Sequence, residues 1–451
     1  MKTFNKILAI VAIIVAADSF ASSNANTINE EIKNESYIKT FSDIDIVSNT
    51  ISETNYIDFL RIHIINQPEY QYTRSSLYEK DALLRFAKRQ RLPEFSGRVI
   101  NDQVLERNVS DNISLRKRKD DSFDGVIELN QPIYTGGQIN ASIRLAQAER
   151  IGSIYSQNNI ISTLIIQANN IYLSASISDY MLTYADKIRE DLLPYQEKVK
   201  DRVNAGISDP IESAIFSIKF NEFENLYQEI KAIRKRDKEI YEYFFEEEFS
   251  KRMFPSFGIS NWRQISNKLS YEVKLAEQEF NSKKEEVTLT KSEYRPKIGL
   301  TTRYTRYDLD EDQGEDDIRG GIYFSTPIFT FGRASAQISA AKASSKAAEH
   351  NIEIVKKEDE VAEKEVISAI ESYVSIRNQL KSSFSDTVKQ RGIILDRIDL
   401  TGFNAQLFVE SSLDELIQLQ KLLNTEKNLI DAYLRYLHQN QKLVSHFRLV
   451  L

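Results

Sequence analysis

The residues able to do chemistry are few and poorly spaced for it. The four histidines, His63, His350, His438 and His446, form no HExxH pair and no other zinc spacing. Asp308, Asp310 and Asp312 have the opening spacing of a calcium loop. Gln313 then stands where that loop needs glycine, and Arg319 where a bidentate carboxylate closes the shell. The chain has no cysteine, so a disulfide, a thiolate nucleophile, a Cys-ligated zinc and a Cys-anchored lipid are all excluded. Neither GxSxG nor a phosphate-binding glycine loop occurs. Gly136-Gly137 reads as a change from strand to helix. The expectation is a non-enzyme with no catalytic residue, no cofactor and no metal.

The remaining charge chemistry is clustered. One run is Arg116-Lys117-Arg118-Lys119, and another holds Asp308, Asp310, Glu311, Asp312, Glu315, Asp316 and Asp317. The net charge of −7 offers no general attraction for nucleic acid.

The elements that carry these clusters are punctuated by scarce breakers. In 451 residues there are 14 Gly and 8 Pro, where average usage gives about 30 and 20. That scarcity excludes an all-β sandwich and a doubly wound α/β fold, which need frequent turns. With 28% charged residues and a mean hydropathy of −0.42, a polytopic helical membrane protein is excluded too. Nine of the 14 Gly and four of the 8 Pro fall in windows 92–138 and 295–333. Long helices are expected, interrupted twice by something non-helical.

The two windows are copies. GVIELNQPIYTGGQINASIRLAQAE in the first matches GGIYFSTPIFTFGRASAQISAAKAS in the second. Pro132 aligns with Pro327, Tyr134 with Phe329, Thr135 with Thr330 and Gly137 with Gly332, at one constant offset. Ala141, Ile143 and Ala146 recur without a gap at Ala336, Ile338 and Ala341. Within each window the apolar period is two. Ile298, Leu300, Thr302 and Tyr304 alternate with Gly299, Thr301, Arg303 and Thr305, as in an apolar-out, polar-in strand. Two such hairpins give four strands, too few to close a barrel, and an open sheet edge is forbidden in hydrocarbon. Several chains must therefore contribute to one barrel if these strands cross a membrane. Three copies would supply twelve strands and leave a lumen.

Between the windows lie the helices. Gly137 to Gly206 could extend roughly 100 Å as one helix, and Gly332 to Glu410 roughly 115 Å. Ile154, Ile161, Ala168, Ala175 and Leu182 repeat every seven residues. Ala362, Val366, Ala369, Tyr373, Ile376 and Leu380 give a second seam; Leu416, Leu419, Leu423, Ile430, Tyr433, Leu437 and Val444 give a third. Gly206, Asp209 and Pro210 predict a stop, a cap and a restart. Ser411 or Ser412, with Glu415 in capping-box reach, predicts the second restart. At the N-terminus Lys2 and Lys6 precede an apolar run from Ile7 to Ala17 and then small residues, the pattern of a secretory signal cleaved after Ala21 or Ala25. The expected segments are a signal peptide (1–25), N-terminal periplasmic helices (26–91), a first hairpin (92–138) and first-half helices (139–245). A connector (246–262), a helix leading to the second hairpin (263–294), that hairpin (295–333) and second-half helices (334–451) follow.

Duplicated hairpins, long helices and returning turns behind a signal peptide resemble the TolC-like outer-membrane efflux family. QPIYTGGQ, TPIFTFGR and YRPKIGL carry the resemblance. It implies a mainly α homotrimer: an outer-membrane β-barrel with four strands per chain, joined to an α-helical coiled-coil barrel extending into the periplasm of a Gram-negative bacterium. Its partners would be outer-membrane lipid, a periplasmic adaptor and an inner-membrane ABC or proton-driven transporter. Its role would be the passive exit duct for efflux or type I protein secretion. Pro132, Gly136, Gly137, Pro327 and Gly332 would form the strand-to-helix exits. Asp414 matches the first of two acids the family often places at its periplasmic constriction, but Ile417 replaces the second. Glu410, Asp209 and Glu212 are further gate candidates. The basic run Arg116 to Lys119 and the acidic Asp308, Asp310, Asp312, Asp316 and Asp317 would alternate round the outer rim and pair there. A coiled-coil scaffold or adhesin without a pore is the alternative; it would explain the helices but not the hairpins.

Overall fold

The computed structural model describes residues 38–41, 50–103, 121–207, 209–250, 254–259, 262, 268–310, 315–397 and 405–449. The signal segment, Arg116 to Lys119 and Asp312 lie outside the described residues. The chain divides into two compact units, one made of residues 68–161 and 269–360, the other of the remaining segments.

In the first of these units the period-two windows form one antiparallel sheet, order β3-β4-β7-β8: β3 (Glu94–Gln103), β4 (Asp121–Tyr134), β7 (Lys297–Arg306) and β8 (Asp316–Ser325). The two hairpins join through β4 and β7, which pair from Gly125↔Arg306 to Tyr134↔Ile298. The register puts Phe95, Leu129, Thr302 and Gly320 in one row, and Gly97, Ile127, Tyr304 and Ile318 in the next such row. Alternation then places Phe95, Val99, Ile127, Leu300, Ile318 and Ile322 on one face, each more than a third exposed. β3 and β8 are the sheet's edges and pair on one side only. This unit also holds helices α2 (Pro68–Arg89) and α5 (Tyr271–Ser292) and the hairpin-proximal parts of two long helices, α3 (Gln138–Asn204) and α6 (Arg333–Arg397); the Ser270 amide ahead of α5 donates to Asp359 of α6 at 3.4 Å. Cross-helix ion pairs tie α2 and α5 to α3: Lys80–Glu149 at 3.1 Å, Arg144–Glu285 at 2.8 Å, and Arg150 with Asp81.

The second unit contains α1 (Glu53–Asn66), α4 (Pro210–Phe245), α7 (Ala405–Gln439), the short α8 (Leu443–His446) and the far parts of α3 and α6. Two small ladders join the N-terminal segment to the connector: β1 (Ile38–Lys39) with β6 (Gly258–Ile259), and β2 (Thr50–Ser52) with β5 (Phe254–Ser256). Around them sits an aromatic core of Tyr56, Tyr172, Tyr241, Phe245 and Phe257, with Tyr56 donating to Asn169 Oδ1 at 2.9 Å. Part of α3 is apolar enough for a bilayer span, but most of that stretch is buried in packing. Arg377 and Glu426 form an ion pair at 2.5 Å that is almost wholly buried. Arg377 also donates to the Lys39 carbonyl at 3.1 Å, and Glu426 accepts from the Phe41 amide at 3.4 Å.

The expected seams are uneven in their burial. All seven residues of the α7–α8 seam, Leu416 to Val444, are buried, as are Ile161, Ala168 and Ala175 of α3. In the stretch of α6 that holds the expected seam the buried positions are Ile370, Arg377 and Phe384, whereas Ala362, Val366, Ala369, Tyr373 and Leu380 are half-buried and Ile376 is exposed. The fully buried line thus runs beside the expected seam, and it includes an arginine, which does not register as apolar. The second restart also needs correction. Ser411 and Ser412 lie inside α7, and both hydroxyls donate back to the Phe408 carbonyl, at 3.0 and 2.7 Å. They serve the helix interior, and the helix begins earlier, at Ala405.

Candidate functional site

The polar face of the sheet is a lattice of paired charges. Glu128 on β4 lies 3.5 Å from Arg303 on β7 and accepts from Thr301 Oγ1 at 3.4 Å. Asp317 and Arg319 pair at 2.5 Å on β8. Arg98, Glu128, Arg303 and Arg319 therefore face the same way, opposite the apolar row. Gly299 has a steric reason on this face: a β-carbon there would enter the Tyr323 ring on the neighbouring strand.

At the end of the sheet away from the strand-to-helix exits, the segment after β7 folds back on β4. The Leu309 amide donates to the Phe123 carbonyl at 2.7 Å, and the Asp308 amide to Asp124 Oδ1 at 3.2 Å. Asp308 turns through a left-handed φ of 49°, a conformation that Asp tolerates better than most residues. Asp310 lies in the following turn, while Asp316 and Asp317 open β8. No group of His, Asp or Glu among the described residues is arranged to hold a metal ion.

The strand-to-helix exits repeat bond for bond. The Gln138 amide donates to the Thr135 carbonyl at 3.1 Å, and its copy Arg333 donates to Thr330 at 3.0 Å. The Ala141 amide donates to Gly137 at 3.0 Å, and Ala336 to Gly332 at 3.1 Å. Gly137 and Gly332 take φ of 93° and 84°, so both positions need glycine for the same reason. The copies diverge one residue earlier. Gly136 (φ 67°) is pressed against Arg295 and the Ser292 carbonyl, whereas Phe331 accepts φ 48° with its ring exposed and packed on Phe329. Pro132 is followed by a register shift in the β4–β7 pairing, and Pro327 lies beyond the end of β8.

At the opposite helix ends the acids have separate duties. Asp209 caps α4, accepting from the Ile211 amide at 2.8 Å ahead of Pro210 at the helix start. The preceding helix ends with Ile207 bonded to Arg202 at 2.9 Å and Gly206 at φ 71°, the expected stop. Glu212 is exposed in the first turn of α4. Glu410 is half-buried and accepts from Gln406 at 3.0 Å, while Asp414 is exposed. Both stand near Lys219 of α4, whose ammonium is raised in pKa mainly by its 3.0 Å bond to Glu222 and further by Glu410 and Asp414.

Sequence reasoning treated Glu415 as a capping partner and missed its real setting. It is buried, takes the Tyr184 hydroxyl of α3, and lies 4.0 Å from Arg391 of α6. Arg391 also donates to Ser412 at 3.1 Å and to Asp191 at 2.5 Å, with the Phe408 ring beneath its guanidinium. Burial pushes the Glu415 carboxyl up, against the opposing pull of Tyr184 and Arg391. These partners sit on three helices far apart in the chain, so no local motif announces them.

No family model and no curated protein sequence matches the chain. Solved structures do. The CmeC outer membrane channel of Campylobacter jejuni superposes with a TM-score of 0.74 at 14% identity, covering 91% of this chain and 93% of that one. The outer membrane protein VceC of Vibrio cholerae gives 0.66 at 14% identity, over 87% and 96%. The open-state MtrE outer membrane channel of Neisseria gonorrhoeae gives 0.67 at 14% identity, over 91% and 96%. With two hairpins merged into one four-stranded sheet and each hairpin leading into a helix of more than 60 residues, the chain carries the TolC-like outer-membrane channel fold.

Proposed function

We propose that this chain is one subunit of a passive outer-membrane channel-tunnel, a homotrimer serving as the exit duct of a tripartite efflux or type I secretion system. The observation that carries the reading is the sheet. One face is apolar and exposed, the other is charged and internally paired, and both edges are open. In hydrocarbon such edges must be closed by further strands, and copies of the same chain supply them. Three copies give twelve strands with a lumen lined by the Glu128–Arg303 face. The long helices then continue the passage into the periplasm of a Gram-negative cell. There a periplasmic adaptor and an energised inner-membrane transporter would meet the free ends. Asp414 and Glu410 are the proposed gate charges, with Glu212 a lesser one; Asp209 contributes mainly as a helix cap. Aspartate and glutamate rings of this kind favour cations.

Purified oligomer in planar bilayers tests the reading. Stepwise conductance is expected, with cation preference reduced in Asp414→Asn. A folded oligomer that passes no current overturns it and leaves the pore-less scaffold.

A further inference from the structure

Lys427 makes no direct ion pair among the described residues. It projects from α7 into a half-open cleft of about 210 Å³ between α3, α4 and α7. Its ammonium donates to Ser174 Oγ at 2.7 Å, and no carboxylate among the described residues pairs with it. The two nearest acids are already engaged. Asp237 is held by Arg236 at 2.7 and 2.9 Å, and Asp431 accepts from Asn170 at 2.8 Å and Arg435 at 2.7 Å. Burial lowers the Lys427 pKa despite the pull of those two acids, as expected for an under-compensated buried charge. The cleft is apolar at Ile177, Met181 and Ile230 and polar at Gln420 and Asn424, and the mutually paired Arg236 and Asp237 also line it.

We propose that this cleft binds a small aliphatic carboxylate, with Lys427 as the group that receives its anionic end. A carboxylate takes the ammonium hydrogens that Ser174 leaves free, in a charge-assisted hydrogen bond. A short chain then covers Ile177, Met181 and Ile230. Size sets the class: drug-sized ligands use pockets of roughly 300–1,000 Å³, and this cleft is smaller. The fit does not depend on pore formation, so it stands or falls separately from the channel reading.

Binding of butyrate to the purified full-length oligomer, followed by calorimetry with n-butylammonium as the control, tests the site. Saturable butyrate binding at one site per chain is expected, with none for n-butylammonium. Affinity should fall as pH rises and the amine loses its proton. Lys427→Met should weaken binding about tenfold or more, whereas Lys427→Arg should keep it within a few-fold. Ser174→Ala, which leaves the cation in place, should retain binding and covers the case in which Lys427→Met fails to fold. Undetectable butyrate binding by the folded protein, equal binding by Lys427→Met, or n-butylammonium binding as well as butyrate would overturn the proposal.

Discussion

Breaking the Arg377–Glu426 pair should be the most damaging single change to a charged residue in this chain. Arg377→Met removes a guanidinium that is 4% exposed and leaves Glu426, 0% exposed, with the Phe41 amide at 3.4 Å and the weaker, more distant pull of Lys381. Removing one partner of a buried pair costs about 3–5 kcal/mol, because the orphaned charge keeps its full desolvation penalty. The double variant Arg377→Met/Glu426→Leu removes that orphan and should lie near the parent in stability, or above it. Burial already raises the Glu426 pKa, and loss of Arg377 raises it further. The single variant's deficit should therefore shrink at acid pH, where a neutral carboxyl needs no counter-ion. Urea denaturation at pH 5 and pH 7.5, followed by near-ultraviolet circular dichroism, reads all three effects. Amide exchange should also rise at Phe41 in the single variant, since Glu426 and Arg377 together hold residues 39–41. A single-variant loss below about 1 kcal/mol, or a double variant as damaged as the single, would refute this reasoning.

Other consequences are smaller. Gly136→Ala should cost more than Gly332→Ala in the same denaturation assay. Both incur about 1–2 kcal/mol for left-handed backbone, but only Gly136 also drives a β-carbon into Arg295 and Ser292. Equal losses would mean that the contact with Arg295 is dispensable. Asp209→Ala should lower stability by about 1 kcal/mol through loss of the α4 cap; a change in ion selectivity with unchanged stability would instead assign it to the lumen. Glu415 has a raised folded pKa, so its stabilising protonated form is lost as pH rises from the ordinary carboxyl range through that folded value. Glu415→Gln should therefore gain stability relative to the parent on going from pH 4.5 to pH 7.5, and the opposite drift would contradict the shift.

The strands and their exits were legible because their signals are local. A period of two, a proline, a threonine and an obligatory glycine act within a few residues, and the duplication read the same signal twice. The α4 cap at Asp209 and the Leu-rich seam of α7 were legible for the same reason. The buried line of α6 through Arg377 was not legible, since burial of that arginine depends on a carboxylate on another helix. Ser411 and Ser412 misled because a hydroxyl can cap a helix or bond back within one, and only the position of Ala405 relative to the turn decides which.

The sequence by itself determined that this is a helical protein with two copies of a strand-turn-strand-helix unit, since scarcity of breakers, alternation and repetition are properties of the chain alone. Only the tertiary structure decided that β4 pairs with β7, merging the hairpins into one sheet with free edges. It alone placed Arg391 among Asp191, Ser412 and Glu415, and left Lys427 with no direct ion pair among the described residues. Pairing across such sequence separations is set by packing geometry and by the cost of burying charge, and neither is encoded within any short window of residues.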